Sequence, residues 1–594
     1  MKQAVISLVL LTVLSATTAC SQGGTSAPTA IVAQQNATVP TVTQTMPPAT
    51  AVATQQQPVA IPTTAAPQPT AAPTTRPGYF SREQLIEDAR QLAQIIEDTH
   101  PDPYIRGGGK IAFHRRLQRL LNAIPEEGMT RDEFIRLLRP FIAAVGDAHT
   151  DVWSDYQVND YAPGGVPLRF DIVEQSLYVA GVRDETSQDL IGALLVSVEG
   201  VPLAELVERQ KQLQGSENEY NTLLWLSMFS LWYRPFMEDL LPEWQDTSQV
   251  SVELQLPSGE VQEFVFDLPK SMDALVTLES QIVLPSTDHS GFLYDFLDAE
   301  RKIAYLRIDH MNYYREDLEV SAVVGARETT EKERAGVPSV TETFKDMVVD
   351  MQQARTDKLI IDLRDNEGGD SLMADILIYF LYGKDILTAV ETHPFAAGGG
   401  RGERFSNLYF QSRSNVTLES INQDRAVPLL EGEYDFRWDF TDDVERFQEL
   451  SSSGASAFYQ EWFRRTTTFH AEYESGAYAG YYRPERVVVL VTPWTFSSGF
   501  TLARYLYLAG ATLVGTPSAQ ASNCFGNALN WRLNHTGIQG IVSFSYYVEF
   551  PDDPEMGRVL PVHYPLTYEK LASYGFDPNA EYLYALELLS GQGE

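Results

Sequence analysis

The chain's 594 residues are enough for two or three folded domains, and a hydrophobic content of 44% can supply their cores. A formal charge of -36 argues against nucleic acid and anionic membrane surfaces as partners. Cys20 and Cys524 are the only cysteines, and the sequence has no HExxH and no clustered His/Cys set. No GxGxxG or GxxxxGK[ST] loop stands between a strand and a helix, so neither a metal nor a nucleotide cofactor is expected.

Residues 1–20 read as a signal peptide, because Lys2 precedes an apolar run from Ala4 that is too short to span a membrane. Ala19-Cys20 resembles the end of a lipoprotein lipobox, with Thr17 as a departure. Cys20 is therefore the expected lipidation site. The expected location is outside the cytoplasm, anchored only through Cys20 or else secreted. Residues 21–78, almost all Thr, Ala, Pro, Gln and Val, cannot bury a core and read as a disordered tether.

An N-terminal helical region is expected over 79–155. Ser81-x-x-Gln84 is a capping box ahead of Leu85, Leu92, Ile95 and Ile96 at helical spacing. Further helical patterns run from Phe113 to Leu121 and from Phe134 to Val145, and Gly146-Asp147-Ala148-His149-Thr150 is a polar turn directly after them. Short alternating strands then predict a β-rich domain over 160–268, with a helical insertion from Asn221 to Leu241 and a hairpin from Val250 to Phe266. From about residue 290 the pattern is α/β. Leu359–Leu363 is a buried strand leading through Asn366-Glu367-Gly368-Gly369 into a helix, and residues 395–482 read as an insertion or lid.

Val487–Val491 is an unbroken apolar run, read as a strand buried on both faces. A turn, Thr495-Phe496-Ser497, follows, and a helix starts at Ser498 with Gly510 placed to close it. That geometry suits a nucleophile, since free N–H groups and the helix's positive end can meet an oxyanion beside the serine. An ordinary helix cap would use the same residues. His149 is the histidine that sits in a short polar turn after an apolar helix, and a structural hydrogen-bonding role is its alternative.

His100-Pro101-Asp102-Pro103-Tyr104, Gly146–Thr150, IIDLRDNEGG at 360–369 and TFSSGF at 495–500 together resemble the tail-specific, C-terminal-processing serine peptidases, in order and rough spacing. The resemblance covers 79 to the C-terminus. It implies a crotonase-like α/β peptidase core over 290–594, preceded by a PDZ-like domain. It puts the nucleophile at Ser497 and the oxyanion hole at the N–H groups of Ser498 and of Gly368 or Gly369. No lysine occurs between Ser497 and Lys570, so the Ser–Lys dyad of the processing branch is absent. The tricorn-type branch uses a histidine oriented by a glutamate, which His149 and Glu555 match. Phe500, Val562, Ala148 and Glu367 depart from the motifs, and Glu367 should point away from the oxyanion hole.

The resemblance thus implies an exported serine peptidase with the relay Ser497–His149–Glu555, a polypeptide substrate and no cofactor. A peptide would dock on the PDZ-like domain near Gly164-Gly165. The alternative is a degenerate relative that binds peptides or apolar ligands without cleaving them.

Overall fold

The computed structural model describes residues 78–591 apart from 154–163, 184, 245–247, 269–274, 288–289, 325–328, 414–415, 423–427, 431–433 and 436–465. The leader, Cys20 and nearly all of the tether lie outside the described residues. Three layers of structure, mixed α/β in character, follow one another along the chain.

The first is helical: α1 (Arg82–Thr99), α2 (Lys110–Ala123) and α3 (Arg131–Ala143). The Ser81–Gln84 capping box forms as the sequence predicts, and an equivalent Thr130–Glu133 box, not anticipated, starts α3. Leu85, Leu92, Ile96, Phe134 and Leu138 are fully buried in one core, which Trp531, Leu533 and Val542 from the far end of the chain complete.

The second is the β-rich domain. Strands β1 (Leu168–Val173), β2 (Ser176–Val182), β3 (Leu194–Val198), β4 (Gln249–Gln255) and β5 (Val261–Asp267) pair antiparallel in chain order. Helices α4 (Leu203–Leu213) and α5 (Glu219–Trp225) lie between β3 and β4, and Leu177, Val179, Leu206, Leu226 and Val252 share their core.

The third is a sheet of β6 (Phe292–Phe296), β7 (Ile303–Ile308), β8 (Lys358–Asp362), β10 (Arg486–Val491), β11 (Thr512–Gly515) and β14 (Tyr564–Pro565), in that spatial order. Antiparallel β6 caps an otherwise parallel set. Parallel strands buried on both faces must be apolar throughout, which is why the runs at 359–361 and 487–491 carry no alternation. Helices α6 (Val340–Ala354), α7 (Leu372–Tyr382) and α8 (Ser498–Leu508) cover one face, and α9 (Ala580–Ser590) covers the other.

A second sheet joins β9 (Gly400–Arg404), β12 (Cys524–Arg532) and β13 (Gln539–Val548). Part of the segment read as a lid is therefore a sheet strand, because β9 hydrogen-bonds β13 from Gly400 to Glu403. Asp151–Val152 also pairs with β13, at Ile541 and Gly540. That short bridge carries the polar turn after α3 into the middle of the molecule.

Candidate active site

β8 and β10 are neighbours in register, Asp362 opposite Leu490, so the turns that follow them leave the sheet side by side at its carboxyl edge. In open parallel sheets this edge is where ligands bind. Side chains and backbone stitch the turns together. Thr495 Oγ1 donates to Leu363 O (2.8 Å), Thr492 Oγ1 to Arg364 O (2.5 Å), and Phe496 N–H to Asn366 O (2.9 Å).

Two adjacent serines then part company. Ser497 holds φ 52° and ψ -120°, a backbone conformation that a residue with a Cβ adopts only under strain. Its side chain is partly exposed, and its hydroxyl has no protein partner among the described residues. Ser498 is buried, with Oγ donating to Gly369 O (2.6 Å) and lying 2.9 Å from Ser371 Oγ. The geometry leaves Ser497 free to react and fixes Ser498 as a brace.

The glycine turn packs onto this pair. A Cβ on Gly368 (φ 107°) would fall 2.8 Å from both Ser497 Cβ and Ser498 N, so only glycine fits there. Gly368 N–H is spent on Asn366 Oδ1 (2.9 Å). The N–H groups of Gly369 and Ser498 have no acceptor among the described residues and remain available to an oxyanion. Of the glycine pair expected to supply a donor, Gly369 is thus the one with a free N–H. Glu367 is half-buried, and desolvation, with Asp365 adding to it, raises its carboxyl above the usual range.

His149 lies beside the serine turn, its ring stacked on Phe496 at 5.3 Å and 26°. Its surroundings join two of the sequence motifs. Asp147 is fully buried and accepts from His149 N–H (2.9 Å), Thr150 Oγ1 (2.5 Å) and His100 Nε2 (3.2 Å). Since His100 Nδ1 accepts the Asp102 N–H (3.2 Å), the His100 proton sits on Nε2 and points at Asp147. Burial alone would raise the Asp147 carboxyl. The His100 hydrogen bond, with the electrostatic influence of the His100 and His149 rings, outweighs it and holds the group well below the carboxylate range. Burial lowers His149, against the pull of Asp147 and the Phe525 backbone. Burial thus favours the neutral, proton-accepting form of the ring.

Two expected residues lie elsewhere. Glu555 sits on a short surface helix, Pro554–Arg558, with its side chain 81% exposed and bonded to Arg558 (2.8 Å). An exposed carboxylate engaged by an arginine does not orient a buried imidazole, so the structure corrects that assignment. Gly164 and Gly165 are buried against Arg234 and against the Leu231 and Trp232 backbone, rather than forming an open turn for a peptide carboxylate.

The sequence reading passed over Glu217. It lies in the loop Gln214–Asn218 between α4 and α5, with its side chain fully buried. One ligating atom from each of Asp147, His149 and Glu217 falls within 4.8 Å of the others. These donor types could hold a cation, but the three hydrogen bonds Asp147 already accepts argue against it. The loop follows an amphipathic helix and holds a glycine among polar residues, the same signature that marked His149.

Residues 302–527 match the model of peptidase family S41. None of the curated proteins matches the sequence. Among solved structures, mature CPAF aligns over 86% of this chain and 99% of its own at 14% identity, with a TM-score of 0.48. The photosystem II D1 C-terminal processing protease aligns over 83% and 95% at 13% identity (TM-score 0.36). A lipoprotein from Streptococcus agalactiae aligns over 83% and 96% at 8% identity (TM-score 0.28).

Proposed function

From the match of residues 302–527 to the model of peptidase family S41, we propose that this protein is a serine peptidase acting through an acyl-enzyme. In this reading Ser497 Oγ attacks the peptide carbonyl, and His149 takes the proton and returns it to the leaving amine. The Ser498 and Gly369 N–H groups stabilise the oxyanion. Water then repeats the cycle on the ester and frees Ser497. The single observation that carries the reading is Ser497 at the start of α8, its backbone strained and its hydroxyl without a partner among the described residues, beside a buried imidazole.

The core is read as crotonase-like and the β-rich domain as PDZ-like, with an extended polypeptide as substrate. Acylation of Cys20 would hold the enzyme at a membrane outside the cytoplasm, where its substrates would be exported proteins. Fatty-acid labelling that persists in Cys20→Ser would refute that anchor.

Casein hydrolysis tests the peptidase. The wild type should cleave it, Ser497→Ala should lose several powers of ten in rate, and Ser498→Ala should keep measurable turnover. Equal rates in wild type and Ser497→Ala would refute the reading.

A further inference from the structure

Once Glu555 is on the surface, the buried base lacks a group to orient it. His149 Nδ1 is buried and has no hydrogen-bond partner among the described residues, a state that buried nitrogens rarely tolerate. Asp147 is already committed elsewhere, its carboxylate accepting the His149 backbone N–H, the Thr150 hydroxyl and the His100 ring. A second orphan lies in the same cluster. Glu217 Oε1 is buried and meets no well-aligned donor among the described residues, with the Phe525 backbone nearby and Arg106 Nη1 3.9 Å away. The other oxygen, Oε2, is held by the Ala521 N–H (3.4 Å) and Gln520 Nε2 (3.5 Å), so the carboxyl is anchored with one oxygen free. An unpaired donor and an unpaired acceptor in one buried pocket answer each other, directly or across a single water.

We propose that Glu217 is the positioning residue of the base, its free carboxylate oxygen accepting the His149 ring N–H and fixing the imidazole toward Ser497. The proposal rests on the peptidase reading. It also makes the site composite, because Glu217 comes from the β-rich domain. Its loop is seated on the rest of the molecule at two points. A Cβ on Gly215 would fall 2.5 Å from Asp147 O, and Asn218 Nδ2 donates to Ser518 O (3.2 Å) and Arg558 O (3.3 Å).

The charged and titratable groups around Glu217 are Arg106, Asp147, His149 and Cys524. Burial is the largest influence and, with Asp147 adding to it and Arg106 opposing, raises the carboxyl to about 8. The working pair needs Glu217 ionised and His149 neutral. Activity of the wild type should therefore rise with pH as this raised carboxyl ionises. Without the carboxyl only His149 is left to titrate, and burial sets it below the ordinary histidine value.

Casein hydrolysis by the full-length wild type, Ser497→Ala, Glu217→Gln and Glu217→Asp, each followed against pH, tests the assignment. Glu217→Gln keeps the side-chain shape. It should lower the kcat plateau on the order of a hundredfold or more and move the rise below pH 6.5, with KM little changed. Glu217→Asp should bring back the high-pH rise at a reduced rate. Wild-type kcat and an unmoved profile in Glu217→Gln would overturn the proposal while Ser497→Ala still reported on the peptidase. If folded wild type and Ser497→Ala were equally silent, the peptidase reading itself would fall. In that case an NMR titration of the His149 imidazole decides the pair, since a midpoint identical in wild type and Glu217→Gln overturns it.

Discussion

Ser497 and Ser498 are the same residue type, one bond apart in sequence, and the structure gives them opposite surroundings. The difference lies in hydrogen bonding. Ser498 Oγ is spent on Gly369 O and faces Ser371, so Ser498→Ala should loosen the turn and slow hydrolysis moderately. The Ser497 hydroxyl holds no partner among the described residues, so Ser497→Ala should leave the melting temperature unchanged and remove the activity. Asp147 belongs to the opposite class. Its substitution by Asn leaves His100, Thr150 and the His149 N–H poorly matched and should cost roughly 2 kcal/mol in denaturant unfolding. The folded Asp147 carboxyl titrates below the unfolded one. Its stabilisation is therefore present above roughly pH 4 and drains away as pH falls. The stability gap between wild type and Asp147→Asn should accordingly narrow on acidification below that point. The serine and histidine turns were legible in sequence as places because short turns after strongly patterned elements stand out. Glu217 was not legible as a neighbour of His149. Nothing local ties a loop between two helices to a turn before a distant strand, whereas Glu555 had a motif match and no burial to go with it.

At the scale of elements, the site is two strand-to-helix turns laid edge to edge. The parallel pairing of β8 with β10 brings them together, and Asn366 braces them, taking Phe496 N–H on its carbonyl and Gly368 N–H on its side chain. Gly499 packs on the same residue, since a Cβ there would fall 2.5 Å from Asn366 O. Gly368→Ala introduces a methyl group where the Ser497 Cβ and Ser498 N already stand, at a φ of 107°. A displacement of even an ångström should cut kcat on the order of a hundredfold, with a lower melting temperature. The serine's helix is also tied at its middle, where buried Arg504 meets Glu549 just past β13, with Arg401 of β9 on the same carboxylate. The apolar strands and the helix closing at Gly510 were visible as patterns. The pairing of Asp151–Val152 with β13 was not, because two residues carry no periodicity.

Across the whole molecule, three segments far apart in sequence meet at the site. The helical region brings His149 and its Asp147–His100 support, the α/β core brings Ser497 and the glycine turn, and the β-rich domain brings Glu217. Catalysis should therefore respond to changes at the domain seam that touch no reacting atom. Asn218→Ala removes the Asn218 bonds to Ser518 and Arg558 and the cap on Asn221 N–H of α5. It should lower kcat several-fold with a smaller effect on KM, measurable in the same casein assay. The central claim, that Ser497 is an activated nucleophile, has a more direct test than turnover. A fluorophosphonate probe reacts with an activated serine hydroxyl, and peptide mapping reports which one. The wild type should carry a single adduct on Ser497, absent in Ser497→Ala and formed far more slowly in His149→Ala. A folded wild type that takes no adduct, or an adduct that survives Ser497→Ala, would contradict the account.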